Sequence, residues 1–572
     1  MTDLTVQSDY ECMRKRLATP AESRRTGATM SRMDLRYLTV LMLGLAGCGG
    51  SGGLDSAAAI DGSATSDTRL ASETATPKPW DDVAAQPEAP SQSVPSKSTD
   101  PVAQAPATSQ PPVTSQPTAP SAGVIPAVPT GAPNLQQCPV DKTRTSANLA
   151  SVLNEIRSMG ENTWRKINLN TFDSVAQPLS LRPSCTSIIG HAGIINAWGS
   201  FAYDPNRGDL VTFGGGHADY CGNDIYRFRL STMRWERAGL SSQMTGYQKT
   251  ATEQWAIPSE GLAGAPATAH MYDGLMFLPV ADRMAYFGYG TPSYAGTGGP
   301  ALTVAMQPHT GPWFFDPSKA DPNKVVGSNG SGVDPASPGG YMWENREYKS
   351  THPGAWLPDG FGPQTASSDT LCENGKDVAY MRTAGASGVS SGLVKFSVND
   401  ARDPSKDVMV PVGAYSNHMA QADMAVDPAR LVAVMLGDSN QRRFAFWDLS
   451  TPGLGNWLKG VNAVQDLTGG FDLGGNAGMD FDPVRGRFLL WNGESEVWEL
   501  RLPATVPVPE GGWSVRRLQS IGGPTGALLP QSGGANGKWK YAPGLDVFLG
   551  LREAPNGDVW IYKPNGWVDP AR

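Results

Sequence analysis

Long apolar runs and a surplus of positive charge are both missing from this 572-residue chain. Charged residues make up only 17% of the sequence, and 46 Lys and Arg against 54 Asp and Glu give a formal net charge of -8. A mildly acidic chain of this kind lacks the basic surface that attracts nucleic acid or an anionic membrane. We therefore expect neither as a direct partner.

The apolar run Tyr37–Ala46 follows Arg32 and Arg36 and is too short to span a bilayer as a permanent helix. This arrangement is typical of an export signal. The run ends in Leu45-Ala46-Gly47-Cys48, which resembles the bacterial lipoprotein box and implies cleavage before Cys48 and acylation of its sulfur. An ordinary signal with a chance cysteine is the alternative.

The 29 residues before Met30 exceed a normal signal n-region, so we expect the true start at Met30 or Met33. Gly49, and not Asp, follows the lipidated cysteine. In Gram-negative lipoproteins this implies passage to the outer membrane, on either its periplasmic or its outer side. The lipid would then be the only membrane contact.

Aromatic residues almost vanish between Gly49 and Leu135, where Ser, Thr, Pro, Ala and Gly dominate. Such a segment cannot bury enough apolar surface to offset its chain entropy, so we expect a disordered tether. Composition thus divides the chain into a presequence (1–47), a lipidated cysteine with its tether (48–135) and a folded domain (136–572).

The folded domain repeats a unit of four short strands. In Trp198–Arg237, four runs of β-branched and aromatic residues are separated by turn sequences, the first of which is Asp204-Pro205-Asn206-Arg207-Gly208. The order of strand, D-P-x-R turn and glycine-ended strand returns at 424–438 and 479–493, with looser versions at 275–290, 370–385 and 539–551. Such a unit cannot bury both faces alone, so its copies should stack.

A Gly-Gly doublet after the second strand, an aromatic third strand and a W-x-R fourth strand (Trp235–Arg237) resemble the kelch and galactose-oxidase type of β-propeller. The resemblance covers roughly 160–567 and implies an all-β fold with a single propeller of about seven four-stranded blades. We place the seventh blade in 317–369. The strand at 163–172 should complete the last blade, 539–567, and so close the ring. A helix is predicted at 146–158, with Ser146 as its cap.

Four cysteines remain in the exported domain: Cys138, Cys185, Cys221 and Cys372. Four cysteines allow three pairings, and we favour Cys138–Cys185, which would pin the leading segment to the first blade. No C-x-x-C spacing occurs, so these cysteines do not predict a metal site. We expect no cofactor; calcium at the Asp-rich turns is left open.

Blade topology predicts where the histidines meet. In an antiparallel blade, the loop between strands two and three lies on the same face as the linker into the next strand one. His217 is in a two-three loop, whereas His191, His270 and His418 each precede a strand one. Four of the six histidines should therefore share one face, around the mouth of the central channel, and the D-P-x-R turns should line the opposite face.

Other reactive side chains are predicted on the same face. Asp219 and Tyr220 adjoin His217, and Tyr272 is two residues beyond His270, which puts both on one side of an extended strand. Strand ends add Tyr289, Arg382 and Arg442. Each residue also has a structural interpretation, since loop histidines often bond carbonyl groups and loop arginines are often solvated.

A polysaccharide lyase is the function that this residue set favours. Elimination at a uronate needs a donor or cation for the carboxylate, a base for the α proton and an acid for the leaving oxygen. We assign the base to His217 or His270, the acid to Tyr220 or Tyr272, and the carboxylate contact to Arg382. Several propeller lyases are similar in fold and residue types. Substrate contacts are assigned at the remaining positions: His191, Asp219, Tyr289, His418 and Arg442.

Two alternatives stand beside the lyase. Kelch propellers commonly bind a glycan or a protein partner without catalysis, through aromatic side chains on their loops. A copper radical oxidase, which the galactose-oxidase resemblance suggests, needs a Tyr-His dipeptide that this sequence lacks. We expect a monomer whose ligand is a polysaccharide.

Overall fold

The structure is a computed structural model, and the residues that it describes are 132–140, 149–183, 190–196, 199–215, 220–250, 253–261, 264–268, 271–287, 311–327, 341–352, 368–382, 388–415, 422–437, 443–453, 455–461, 477–526, 528 and 534–570. Within these ranges, no helix has the length and apolar character needed to cross a membrane. The first elements are strand β1 (Leu135–Gln136), helix α1 (Ala150–Ser158) and strand β2 (Thr163–Lys166).

Six antiparallel sheets follow one another as the blades of a propeller. Blade 1 contains β3 (Ala202–Asp204), β4 (Asp209–Phe213), β5 (Ile225–Arg229) and β6 (Arg234–Gly239). An inserted hairpin contains β7 (Met244–Thr250) and β8 (Glu253–Pro258). Blade 2 contains β9 (Leu275–Leu278), β10 (Arg283–Tyr286), β11 (Trp313–Phe315) and β12 (Trp343–Asn345), followed by the short helix α2 (Tyr348–Thr351).

The other four blades repeat this order. Blade 3 contains β13 (Ser368–Glu373), β14 (Lys376–Arg382), β15 (Gly388–Ser397) and β16 (Val408–Tyr415). Blade 4 contains β17 (Asp423–Asp427), β18 (Val432–Gly437), β19 (Arg443–Asp448) and β20 (Lys459–Gly460). Blade 5 contains β21 (Gly478–Asp482), β22 (Arg487–Trp491), β23 (Val497–Arg501) and β24 (Ser514–Leu518). Blade 6 contains β25 (Trp539–Ala542), β26 (Val547–Leu551), β27 (Val559–Lys563) and β2.

Stacking of the blades explains the apolar content of the inner strands. Every residue of β18 and of β22 is buried, because both faces of each blade pack on a neighbour. Phe446 of blade 4 and Trp498 of blade 5 belong to one such inter-blade core. Each blade alone would leave these faces in water, so the ring is the folding unit.

The predicted ring closure is confirmed. Strand β2 pairs antiparallel with β27, and Trp164 lies opposite Tyr562 in the register. The Trp164 ring also packs against Trp491 of blade 5 and Trp539 of blade 6, with ring centroids 5.6 and 5.4 Å apart. Strand β2 therefore becomes the outer strand of the last blade and covers its edge.

The propeller has six blades, so the expectation of about seven was wrong. The stretch assigned to a seventh blade instead supplies β12, the fourth strand of blade 2, together with α2. Residues 316–342 separate β11 from β12. An insertion of this length is long enough to be mistaken for a further blade in the sequence.

Two local expectations also need correction. Helix α1 buries Val152 and Ile156 as predicted, but it begins at Ala150 with Leu149 at its N-cap, so Ser146 is not the cap. The favoured Cys138–Cys185 pair was wrong, because Cys138 is bonded to Cys372. Strand β1 pairs with β13 of blade 3, and this contact brings the leading segment to Cys372 and away from blade 1.

Candidate functional site

The strand order defines two faces of the propeller. We call the face with the loops between strands two and three, and with the linkers into each strand one, the upper face; the turns between strands one and two form the lower face. The D-P-x-R turns lie on the lower face, as expected. There Arg207 binds Asp204 in its own turn and Asp282 in blade 2, and Arg485 likewise binds Asp482 and Asp546 of blade 6.

The upper loop of blade 1 is fastened at its base. The amide of Tyr220 donates to the carbonyl of Gly215 at 2.5 Å, which closes the chain around residues 216–219. The Tyr220 hydroxyl donates to Asp224 at 2.8 Å and is buried. Burial and the charge of Asp224 raise the pKa of Tyr220, so its phenol keeps its proton.

Two hydrogen bonds join this loop to the linker that precedes blade 2. Thr268 Oγ1 donates to the carbonyl of Tyr220 at 3.4 Å, and Asn223 Nδ2 donates to the carbonyl of Pro266 at 2.9 Å. Tyr220 is three residues from His217 and Thr268 is two residues from His270. The described residues next to these two histidines in sequence are therefore joined on the upper face.

His191 lies beneath this face in a group of aromatic rings. Its imidazole stacks on Phe172 with centroids 4.5 Å apart, and the rings of Tyr226 and Tyr220 lie at 5.0 and 6.1 Å. Only 4% of the residue is exposed, and neither ring nitrogen has a hydrogen-bond partner among the described residues. Burial, together with the positive charge of Arg182, lowers the pKa of His191 to about 3. The imidazole is therefore neutral at physiological pH.

This group includes three residues that were not predicted as site residues, namely Asp224, Tyr226 and Arg182. Asp224 accepts hydrogen bonds from Tyr220 and, at 2.6 Å, from Tyr226, whose oxygen in turn accepts from the amide of Gln177 at 2.9 Å. Period-two spacing on β5 could have put Asp224 and Tyr226 on one side of the strand. Arg182 is distant in sequence and carries no comparable signal.

Lys538 is a further upper-face residue that the sequence did not reveal. It directly precedes strand one of blade 6, a position equivalent to that of the histidines before other blades. It is buried, and burial lowers its pKa to about 7 against the opposing charge of Glu553. Its ammonium donates to the carbonyl of Gly534 at 3.2 Å. An amine with such a pKa is chemically able to act as a base.

Contacts between blades join the beginnings of their first strands near the central channel. Lys540 of blade 6 forms an ion pair with Asp273 at the start of blade 2. Asp423 accepts from the amides of Met479 at 3.0 Å and Gly537 at 3.2 Å, and so joins blade 4 to blades 5 and 6.

Below these contacts the channel holds a cavity of about 100 Å³. Asp369, Asp480 and Lys540 form its polar wall, and Gln137 and Cys138 of the leading segment line it from the lower face. Burial raises the pKa of Asp480 to about 6 although Lys540 opposes the shift. The amide of Tyr541 donates to Asp480 at 2.6 Å, so this carboxyl joins blade 5 to blade 6.

Tyr272 and Arg382 occupy different parts of the ring. Tyr272 is buried and its backbone has a φ of 46°, so it is not in an extended strand and the argument that placed it beside His270 does not hold. Its carbonyl lies against Gly537, where a Cβ atom would approach to 2.0 Å. Arg382 ends β14 of blade 3 and is buried. Neither residue adjoins Tyr220 in the strand order.

The remaining predicted site residues lie outside the described ranges: His217, Asp219, His270, Tyr289, His418 and Arg442. Their placement stays a prediction. Cys138, Cys372 and Asp377 are the group within the described ranges whose potential metal-ligand atoms lie together, within 4.8 Å of one another. The two sulfurs are joined in a disulfide, so this group does not form a thiolate site.

Comparison with known proteins matches no family model and no curated protein. Among solved structures, an α-L-arabinofuranosidase of Fusarium graminearum with an iminosugar inhibitor is similar, with 11% identity and a TM-score of 0.31 over 64% of this chain and 93% of that one. An α-L-arabinanase of Penicillium chrysogenum with arabinobiose has 11% identity and a TM-score of 0.31 over 69% and 97%. We take the propeller fold from this chain's own strand pairing.

Proposed function

We propose that this chain is an exported, lipid-anchored enzyme that acts on an acidic polysaccharide at the upper face of blades 1 and 2, by β-elimination at uronate residues. The pair of hydrogen bonds from Thr268 to Tyr220 and from Asn223 to Pro266 supports this most strongly. These bonds join Tyr220 and Asn223 to residues 266 and 268, which are close in sequence to His217 and His270 respectively. Two imidazoles on one exposed face provide a base near neutral pH.

The chemistry divides among the predicted residues. His217 or His270 removes the proton α to the uronate carboxylate as the carbanion develops. The contact to that carboxylate was predicted at Arg382, but Arg382 is buried at the end of β14 in blade 3, so the group that compensates this charge on blades 1 and 2 is left unassigned. A tyrosine protonates the leaving glycosidic oxygen. Tyr220 holds its proton through its hydrogen bond to Asp224, whereas Tyr272 is buried with its carbonyl against Gly537. Lys538 is a second candidate base.

The test is ultraviolet absorbance of the full-length protein incubated with a panel of uronate-containing polysaccharides and with a neutral arabinan. Elimination leaves an unsaturated uronate that absorbs, whereas hydrolysis leaves no such chromophore. New absorbance with at least one acidic polymer is the expected result. Release of reducing ends without absorbance would instead identify a hydrolase.

A non-catalytic glycan-binding propeller is the second candidate. The burial of His191 and Tyr220 favours it, because side chains that are 4% and 3% exposed stabilise a loop more readily than they reach a substrate. In that case the same panel gives neither absorbance nor reducing ends, and the protein is retarded by one polymer in an affinity gel.

A further inference from the structure

Three arginines of blade 5 surround one buried carboxylate: Arg487 of β22, Arg501 of β23 and Arg516 of β24. Glu499 of β23 lies opposite Leu489 and Arg516 in the strand register. Its Oε1 accepts from Nε of Arg501 at 2.6 Å and from Nε of Arg516 at 2.8 Å, and Arg487 binds its Oε2. Because one carboxylate balances several guanidinium groups, the cluster carries excess positive charge.

The hydrogen bonds leave part of each outer guanidinium directed to solvent. Arg516 uses Nε on Glu499, and its two terminal nitrogens have no partner among the described residues. Arg501 uses Nε and one terminal nitrogen, with 3.2 Å between Nη2 and Oε2. Their side chains are 65% and 40% exposed. Glu499 thus anchors two guanidinium groups at their stems and leaves donors available to an external anion.

The carboxylate that anchors them stays charged. Burial opposes ionisation of Glu499, but the hydrogen bonds from Arg501, Arg516 and Arg487 outweigh it and lower the pKa to about 2. Arg487 is buried and also binds Asp482. The charged Glu499 therefore holds the guanidinium groups of Arg501 and Arg516 in place over the whole physiological pH range.

We propose that Arg501 and Arg516 form a binding site for the carboxylate or sulfate groups of an acidic polysaccharide, separate from the upper-face site. The site lies on the outer strands of blade 5, which is opposite blade 2 and separated from blade 1 by blade 6. It goes beyond the proposed function, because it binds the polymer whether or not the upper face cleaves it. A paired guanidinium fork matches a planar carboxylate better than separate ammonium groups would.

The strand offers a matched control. Arg517 is adjacent to Arg516 but lies opposite Trp498, which packs toward blade 4, so it projects from the other face of the sheet. Arg517 pairs with Glu496 and is 53% exposed. Its substitution removes the same charge from the same strand without touching the Glu499 cluster.

The experiment is affinity electrophoresis of the full-length protein in gels containing polygalacturonate, chondroitin sulfate or neutral arabinan. The double variant Arg501→Gln/Arg516→Gln should weaken binding to an acidic polymer at least about tenfold, whereas Arg517→Gln should leave it unchanged. The Arg501→Lys/Arg516→Lys variant keeps the charge and should recover binding only in part. Near-UV circular dichroism checks that each variant keeps the fold.

Equal binding by wild type and the Gln double variant would overturn the proposal, and so would an equal loss in Arg517→Gln. A third arm uses vesicles with anionic lipid. Binding to vesicles that depends on Arg501 and Arg516, without binding to either acidic polymer, would also overturn it. Absence of cleavage in the absorbance assay bears on the upper face alone, so the two proposals fail separately.

Discussion

The hydroxyl of Thr268 donates a hydrogen bond to the carbonyl of Tyr220 at 3.4 Å and thereby joins the linker before blade 2 to the upper loop of blade 1. Both residues are buried, so water does not replace the bond readily. The relation matters because the two predicted catalytic histidines flank these residues in sequence. It also makes Thr268 a buried position at which a substitution should alter the upper-face site.

Thr268→Val should reduce activity on an acidic polysaccharide while costing only about 1 kcal/mol of unfolding free energy. The valine keeps the shape of threonine but removes the donor, so the two loops lose a fixed spacing. Urea unfolding and initial rates measure the two effects. Thr370→Val is the control, because the Thr370 hydroxyl is buried without a hydrogen-bond partner in the described residues and its loss should cost nothing. Equal effects in both variants would contradict the assignment.

The loss of unfolding free energy on substituting a lower-face arginine should increase with the number of carboxylates that the arginine binds. Arg485 bridges Asp482 and Asp546, both buried, whereas Arg430 binds the carboxylate of Asp427 and a carbonyl of blade 5. Arg485→Gln should therefore lower the unfolding free energy by about 3 kcal/mol, and Arg430→Gln by less. Guanidinium chloride unfolding measures both. The reverse order would show that these pairs do not connect the blades.

His191 should make the protein less stable in acid. Its pKa is about 3 in the folded protein and about 6.5 in an unfolded chain, so between these values the unfolded chain binds a proton that the folded chain excludes. Acidification through this window therefore lowers the unfolding free energy. The nearby charges are Arg182, which opposes protonation, and Asp173, whose carboxylate lies 3.7 Å from Nδ1.

Comparison with His191→Gln isolates this contribution, because other titrating groups are common to both proteins. The difference between wild type and variant in unfolding free energy should shift in favour of the variant as the pH falls from 7 to 4, by at most about 1.4 kcal/mol per pH unit. A constant difference across this range would contradict the depressed pKa.

Lys540 should be most important at high pH. It is the cation beside the buried channel carboxyls, where burial and neighbouring carboxylates raise the pKa of Asp423 and Asp369. Lys540→Met leaves these acids uncompensated once they ionise, so its stability should fall as the pH rises from 5 to 8. The loss at pH 8 should reach about 3 kcal/mol.

Urea unfolding of Lys540→Met at both pH values measures this effect. Lys395→Met is the control, since Lys395 pairs with the partly exposed Glu373 at 2.8 Å and faces no comparable group of buried acids. Its cost should be small and nearly the same at pH 5 and 8. A similar pH dependence in both variants would contradict a special role for Lys540.

The sequence predicted the blades well because their signals are local. The D-P-x-R turns and aromatic third strands mark each unit, and β2 could be assigned to blade 6 because it lacks three strands before it. The blade count failed where a long insertion separates β11 from β12. The disulfide prediction failed because the pairing of β1 with β13 joins segments more than 200 residues apart, and local sequence signals do not reveal such a contact.

The candidate site was predicted less completely. The placement of His217 and His270 on a common face stays a prediction from strand direction; the described residues next to them, Tyr220 and Thr268, are joined by a hydrogen bond. Burial does not follow from strand direction, so the enclosed position of His191 and the depressed pKa of Lys538 were not expected. The sequence around Tyr272 favoured an extended strand, and nothing in it signals the left-handed backbone that Tyr272 adopts.

The upper-face account is tested most directly by the initial rate of unsaturated-uronate formation in His217→Ala and His270→Ala, measured beside wild type on the most active polysaccharide. Each substitution should lower the rate at least about 100-fold and leave the melting temperature nearly unchanged. Wild-type rates in either variant, or a large fall in melting temperature in place of a specific loss of activity, would contradict the account.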